Sequence, residues 1–410
     1  MRLAFLGPVP PAATGIADYD ADVLAMVARR HAVDVFVDQD SVDRSRLPAG
    51  CAVHAQAEFS ERHRLERYDL AIHQLGNSLH HAFVYPHLAR VPGLLVLHEL
   101  VLHHSRARML LASGDGAGRY RAELAYSHPD QADRLAEAHF GTVGDLLPYA
   151  YPLFRLPVEA SRATAVHNEF MAAAIRAEVP EAPVVRVRMP ASAAEVPPDA
   201  VAALRARHGI APEAFVVAVF GLLTREKRIE TVARAVARAA VHLPAVRLLL
   251  VGPVPDPGEL RALLDRHGVA SRAIVTGRVA FEELPAHLEA ADLVAQLRYP
   301  TARETSAALL RVLAQGRPAV VSDLAHLAEI PRDAVVRADV SDEEGELTRA
   351  ILRLASAPRE RERLSRAAVD YVRREHSPER CLASYEEAMA AAVGAPLPPP
   401  RAWPAHWRER

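Results

Sequence analysis

VVAVFGLLTREKRIETVARAVARAAV, residues Val216–Val241, decides the fold. Its opening six residues, Val216–Gly221, are an apolar run of strand length that stops at a glycine. From Ile229 to Val241 the apolar positions Ile229, Val232, Val236 and Ala239 recur three or four residues apart, the spacing of one helix face. A strand that runs through a short polar loop into an amphipathic helix needs a second strand beside the first. The crossover helix makes that neighbour parallel.

The same unit repeats in both directions. Upstream, Leu3–Gly7, Val33–Val37, Leu70–Leu75, Leu94–His98 and Thr164–Val166 read as strands. Downstream follow Leu248–Val251, Ile274–Gly277, Leu293–Leu297 and Ala319–Ser322, with helical patterns between them, Ile16–Arg30 among them. Strands alternating with helices predict α/β architecture with parallel sheets. The stretch MPASAAEVPPD (Met189–Asp199) has no periodicity and is the best linker, so the two sets read as two doubly wound domains. The expected divisions are 1–190, 191–375 and a C-terminal helix and tail, 376–410, that crosses back to the N-terminal domain. Residues 104–154, which include Ser113–Gly116, read as a largely helical insertion. The tail Ala395–Arg410 carries five prolines and both tryptophans, Trp403 and Trp407, and is read as disordered or packed back on the body.

Composition narrows the classes. With 410 residues, 49 Lys and Arg against 51 Asp and Glu, the net charge is −2, which gives no reason to expect a nucleic-acid partner. Cys51 and Cys381 are the only cysteines; they make no disulfide framework and have no metal-ligand spacing, which suits a reducing cytosol. The N-terminal apolar run is too short for a signal peptide, and no stretch approaches 18 apolar residues. A cytoplasmic protein is expected. The Trp403/Trp407 tail, despite its arginines, lacks the helical moment of a membrane-surface segment.

In open parallel sheets, ligands bind beyond the carboxyl ends of the strands, so four places draw the chemistry. GPVPPAATGIADY (Gly7–Tyr19) follows the first strand, and Gly15 there lets backbone N–H groups approach an anion; a plain surface loop reads equally well. It is not the GxGxxG of a nicotinamide site. His98-Glu99 closes the fourth strand, with His103 and His104 close behind. A histidine there can donate to a substrate oxygen or hold a proton, though a lone one is more often structural. No matching ligand set supports a metal. The third place is FGLLTREKR (Phe220–Arg228), whose Lys227 is the only lysine in an arginine-rich chain. A compact ammonium at a strand end suits a phosphate oxygen, whereas the bland reading is a solvated helix start. The fourth is RYPTARETSAALLR (Arg298–Arg311), where the amides of Thr305, Ser306 and Ala307 would open a helix and form an anion site, or Ser306 would simply cap it.

Together these places resemble the retaining GT-B glycosyltransferases of family 4 (glycosyltransferases group 1). Gly221–Lys227 resembles the family's G-R-L-x-x-x-K segment. Val275–Val279, then Glu282-Glu283-Leu284 and Ala290-Ala291-Asp292, resemble its TG-strand, E-E-L and A-A-D run. Glu304 through Gly316–Val321 resembles its E-x7-E stretch closing on A-x-G-x-P-V-V. The resemblance is tightest from about 215 to 325 and looser in the N-terminal half. Several positions depart from the pattern. Leu222 replaces the arginine after the glycine, so a diphosphate cation is missing unless Arg225 or Arg228 substitutes. The family's two carboxylates fall on Arg303 and Arg311, with Glu304 one place late, and Phe-Gly becomes Thr305-Ser306.

The resemblance implies two Rossmann-like domains facing across a cleft, and transfer of a sugar from a nucleoside-diphosphate sugar to an acceptor with retention. It implies no cofactor and no metal, the nucleotide sugar being a co-substrate. His98, Lys227 and Glu304 would be catalytic; Gly15, Gly221, Arg225, Arg228, Arg278, Thr305, Ser306, Ala307 and Arg311 would bind donor. Asn77 and His103 would line the acceptor side. The acceptor (small molecule, glycan, lipid or protein) and the oligomeric state are open. The rival readings are a nucleotide-sugar 2-epimerase on a similar fold and a non-catalytic sugar-nucleotide-binding partner subunit, the latter motivated by Leu222, Arg303 and Arg311.

Overall fold

The structure, a computed structural model, describes residues 1–112, 114–140, 146–399 and 401–407. Ser113, residues 141–145, Pro400 and residues 408–410, which the sequence reading includes in the insertion and the tail, lie outside the described residues. The chain divides into two compact units. The first comprises Met1–Pro190, Ala302–Thr305 and Pro378–Arg410; the second comprises Ala191–Thr301 and Ser306–Ser377.

The first unit holds seven strands: β1 (Arg2–Leu6), β2 (Ala32–Val37), β3 (Ala52–Ala55), β4 (Leu70–Leu75), β5 (Leu94–Leu97), β6 (Ala163–Val166) and β7 (Val184–Arg186). They form one parallel sheet in the order β3-β2-β1-β4-β5-β6-β7. Chain order reverses between β1 and β4, where Leu6 lies opposite His73. That is the switch point, where the helices that follow the strands leave toward opposite sides and open a crevice. The central strands are apolar because they are covered on both faces: Leu3–Leu6 and Leu94–Leu97 are fully buried.

The second unit has six strands: β8 (Val216–Phe220), β9 (Arg247–Val251), β10 (Ala273–Gly277), β11 (Leu293–Gln296), β12 (Ala319–Ser322) and β13 (Val336–Ala338). Their order is β10-β9-β8-β11-β12-β13, again parallel, with the switch point between β8 and β11. The helix Ile229–Ala240 crosses from β8 to β9, burying Ile229, Val232, Ala233, Val236 and Ala239 against the sheet. Each buried valine or isoleucine there contributes about 1.5–3 kcal/mol. Both units are therefore doubly wound, Rossmann-like domains, as the alternating pattern requires.

The insertion folds as helices His103–Leu111, Gly116–Ser127, Ala132–Phe140 and Leu147–Ala150. Leu110, Tyr120, Leu124, Leu135 and Leu147 form its own small core. The tail packs on the first unit. Trp407 is buried edge-on to Tyr85, with ring centroids 5.8 Å apart, and Arg401 pairs with the buried Glu159 at 3.1 Å.

Candidate functional site

In the second unit, the groups that follow β8 and end β11 meet at the switch point. Gly221 follows β8 with φ 98°, a conformation open to glycine, and a Cβ on it would stand 3.2 Å from the Lys227 ammonium. Lys227 is buried. Its Nζ donates to the Phe220 carbonyl at 2.6 Å and to Gln296 Oε1 at 3.2 Å, joining β8 to β11. The next residue, Arg228, takes φ 56° as the N-cap of helix Ile229–Ala240. Its Nε donates to Glu343 Oε2 at 2.8 Å. Glu343 is buried at the start of helix Glu343–Ser356, and its other oxygen accepts from the Ser322 hydroxyl at the end of β12. Gln296, Ser322 and Glu343 carry no motif, and the sequence reading does not single them out.

The other donor-side candidates spread out. Arg225 is an exposed residue paired with Glu259 at 2.9 Å. Arg278 is exposed beyond β10, the edge strand, two strands from β8. Arg311 lies over the Phe281 ring at 5.0 Å. Ser306 is the N-cap of helix Ala307–Ala314, its Oγ accepting from the Leu309 amide at 3.2 Å, so the capping alternative describes its side chain. Ala307 is that helix's first residue.

In the first unit, His98 follows β5 and is buried with both ring nitrogens engaged: Nε2 lies 2.8 Å from Gln74 Oε1, and Nδ1 lies 3.2 Å from His167 Nε2. Burial, then the neighbouring His167 and His81, hold its pKa well below the ordinary histidine value. His98 is thus a neutral ring, and a ligand hydroxyl would have to displace Gln74 or His167 to reach a nitrogen. Tyr19 packs edge-on to it at 4.8 Å. Beside them, Asp20 is fully buried and neither of its carboxyl oxygens has a hydrogen-bond partner. Burial pushes its pKa well up. Gly15 opens helix Gly15–Val27 after the N-cap Thr14, and a Cβ there would meet open space. Nothing in the protein itself demands glycine at that position.

Asn77 is used within the unit. Its amide donates to Glu99 at 2.7 Å, and its Oδ1 accepts from the Ser105 amide at 2.8 Å. His103 is buried in the insertion, with Nδ1 against the Tyr151 carbonyl at 2.5 Å and Nε2 against the Tyr120 hydroxyl at 2.6 Å. Both its nitrogens are spent inside the protein. Glu304 and Thr305 are half-buried among the residues counted with the first unit. Asn168 holds that segment, donating to the Arg303 carbonyl and to Thr305 Oγ1, each at 3.1 Å. Arg303 has φ 65°.

Among the described residues, no three His, Cys, Asp or Glu side chains gather as a metal site, and no helix is long and apolar enough to cross a membrane.

Comparison with known proteins adds a family match and a likeness of fold. Residues 214–357, which span β8 through the whole of helix Glu343–Ser356, match the family described as Glycosyl transferases group 1. Within the second unit, this stretch is similar to that family. Its match takes in Gly221, Lys227, Gln296, Ser322 and Glu343 together. The whole chain is similar in fold to solved glycosyltransferases of the GT-B class. Sucrose-phosphate synthase from Thermosynechococcus elongatus is 18% identical with TM-score 0.68, over 95% of this chain and 100% of that one. HepE from Anabaena, solved with UDP and glucose, is 17% identical with TM-score 0.67 over the same shares. WaaG, a glycosyltransferase of lipopolysaccharide biosynthesis, is 14% identical with TM-score 0.63, over 96% of this chain and 100% of that one. No curated protein matches the sequence.

Proposed function

We propose that this chain is a glycosyltransferase that moves a sugar from a nucleoside-diphosphate sugar to an acceptor, with retention of anomeric configuration and without a metal. One observation carries the reading: the only lysine of the chain is held at the switch point of the transferase domain, bridging the last carbonyl of β8 and Gln296 of β11. A buried ammonium has no use as surface charge, and Lys227 costs desolvation to keep there. A departing diphosphate, which gains negative charge as the glycosidic bond breaks, is the ligand that rewards it. A preorganised donor of this kind is worth about 3–4 kcal/mol in the transition state. HepE, similar in fold, has been solved with UDP-glucose, which supports a nucleoside-diphosphate sugar as donor.

In this reading Gly221 leaves room for the ammonium, and Thr305–Ala307 amides assist with the anion. Glu304 binds sugar hydroxyls, and His98, with Gln74 and His167, forms the neutral polar surface that meets the donor sugar. Thermal melts with UDP, GDP, ADP, TDP and their sugar conjugates test it on wild type and Lys227→Ala. A ligand at 100 times its dissociation constant adds about 2.7 kcal/mol of stability. A shift with one nucleotide that Lys227→Ala loses is expected. No shift with any of them sinks the donor site and favours a partner subunit without catalysis.

A further inference from the structure

Arg228 is a non-glycine residue in the left-handed region, immediately after the buried lysine. Such backbones persist where the surroundings over-determine them, and they gather at functional sites. Here the surroundings are a chain of directed hydrogen bonds. The Arg298 amide, on the segment leaving β11, donates to Ser322 Oγ at 2.9 Å. The Ser322 hydroxyl donates to one oxygen of Glu343, and the other oxygen accepts Arg228 Nε at 2.8 Å. Every partner lies at the carboxyl end of the second sheet. The carboxylate is buried, with a side chain 1% exposed, while the guanidinium is 34% exposed.

Only Nε of Arg228 is used. Its two Nη groups have no hydrogen-bond partner among the described residues. A guanidinium fixed through Nε presents the remaining edge as a preoriented fork, the geometry that matches two oxygens of a phosphate. The other candidate for a second diphosphate cation, Arg225, fails on the same measure: its side chain is 82% exposed and tied to a surface glutamate, while Leu222 is an exposed apolar residue.

We infer that Glu343 is a positioning residue that aims the Arg228 fork at the donor diphosphate, making Arg228 the second cation beside Lys227. The inference rests on the donor site proposed above and adds two residues to it. Glu343 does not touch the ligand. It holds the charge that does, and it keeps the strained backbone in place.

Calorimetric titration of the full chain with inorganic pyrophosphate, and with whichever of UDP, GDP, ADP and TDP stabilises it, provides the test. Arg228→Gln and Glu343→Gln are each expected to weaken both ligands roughly tenfold. The double variant should bind no more weakly than either single one, because all three lose the same contact. Binding of the matching nucleoside without phosphates should be unchanged, which general damage to the fold would not allow. Arg228→Gly, which suits the left-handed backbone, supplies a second variant that removes the fork without strain. Wild-type affinity in Glu343→Gln, additive losses, or an equal loss of nucleoside binding overturns the inference. A wild type that binds neither pyrophosphate nor any nucleoside diphosphate overturns the donor site itself, and this assignment with it.

Discussion

Replacing Glu123 by alanine should release the C-terminal tail. The Glu123 carboxylate is buried on helix Gly116–Ser127 and collects donors from two directions. Arg106 Nε donates to both oxygens at 2.8 Å, while His406 Nε2 and Trp407 Nε1 reach Oε1 at 2.8 and 2.7 Å. The Arg106 guanidinium is sandwiched as well, 4.4 Å from the Tyr85 ring and 5.3 Å from Trp407. Without the carboxylate, Arg106 is a buried charge with no counter-ion, a loss of about 3–5 kcal/mol. The orphaned indole N–H adds about 1–3 kcal/mol, and the terms overlap, so about 5 kcal/mol is expected.

Burial opposes charge on Glu123, yet Arg106 and His406 hold its carboxyl down at about 2, below the ordinary 4.5. A lowered carboxyl pKa stabilises the fold above the unfolded value and loses that contribution as pH falls. At about 1.4 kcal/mol per pH unit between the two values, about 3 kcal/mol should disappear between pH 4.5 and 2 in wild type and not in Glu123→Gln. Urea melts followed by tryptophan emission give both quantities, because Trp403 and Trp407 are the only tryptophans and both lie in the tail. A loss under about 1 kcal/mol with unshifted emission would refute the reasoning.

Gly221→Ala forces a Cβ into a left-handed backbone and against the lysine ammonium. It should destabilise the fold by more than about 1 kcal/mol and lower nucleotide-induced thermal shifts. Wild-type shifts in that variant would argue that Lys227 is free to move. Asp20→Asn should raise the melting temperature at pH 8 but not at pH 4. The raised pKa of this carboxyl means that folding is favoured below the unfolded pKa and loses stability as pH climbs through the folded one. An equal effect at both pH values would show that the charge is not the cause. Transfer activity, once an acceptor is found, should survive EDTA; abolition by EDTA with restoration by a divalent ion would end the metal-independent reading.

The fold was legible because buried parallel strands are written as continuous apolar runs. All ten strands expected from such runs occur, within a residue or two. The three that went unread, β3, β7 and β13, are the outer strands of their sheets or lie beside solvent, and their short sequences AVHA, VVR and VRA are half-exposed. A strand covered on one side needs no apolar run, so periodicity is silent there. The candidate site was legible only where rarity or glycine marked it. Lys227 stands out by being alone. Glu343 meets Arg228 across 115 residues, in a helix start that reads as ordinary capping. Gln74 and His167 likewise meet His98 only once three strands lie side by side. The same distance in sequence hides the fate of His103: its two partners, Tyr120 and Tyr151, are set by the packing of the insertion.

The first unit is begun by the ribosome and finished by its last residues. Tyr19, on the helix Gly15–Val27, reaches hydrogen-bond distance of Tyr385, 366 residues later, and Glu123 waits 284 residues for Trp407. The second unit, made of chain that ends at Ser377, can complete its core while the first is still without its closing helix. Domains usually mature in the order in which they are synthesised. Here the second unit can finish first, so a chain interrupted near residue 377 would carry a finished second unit joined to an unfinished first one.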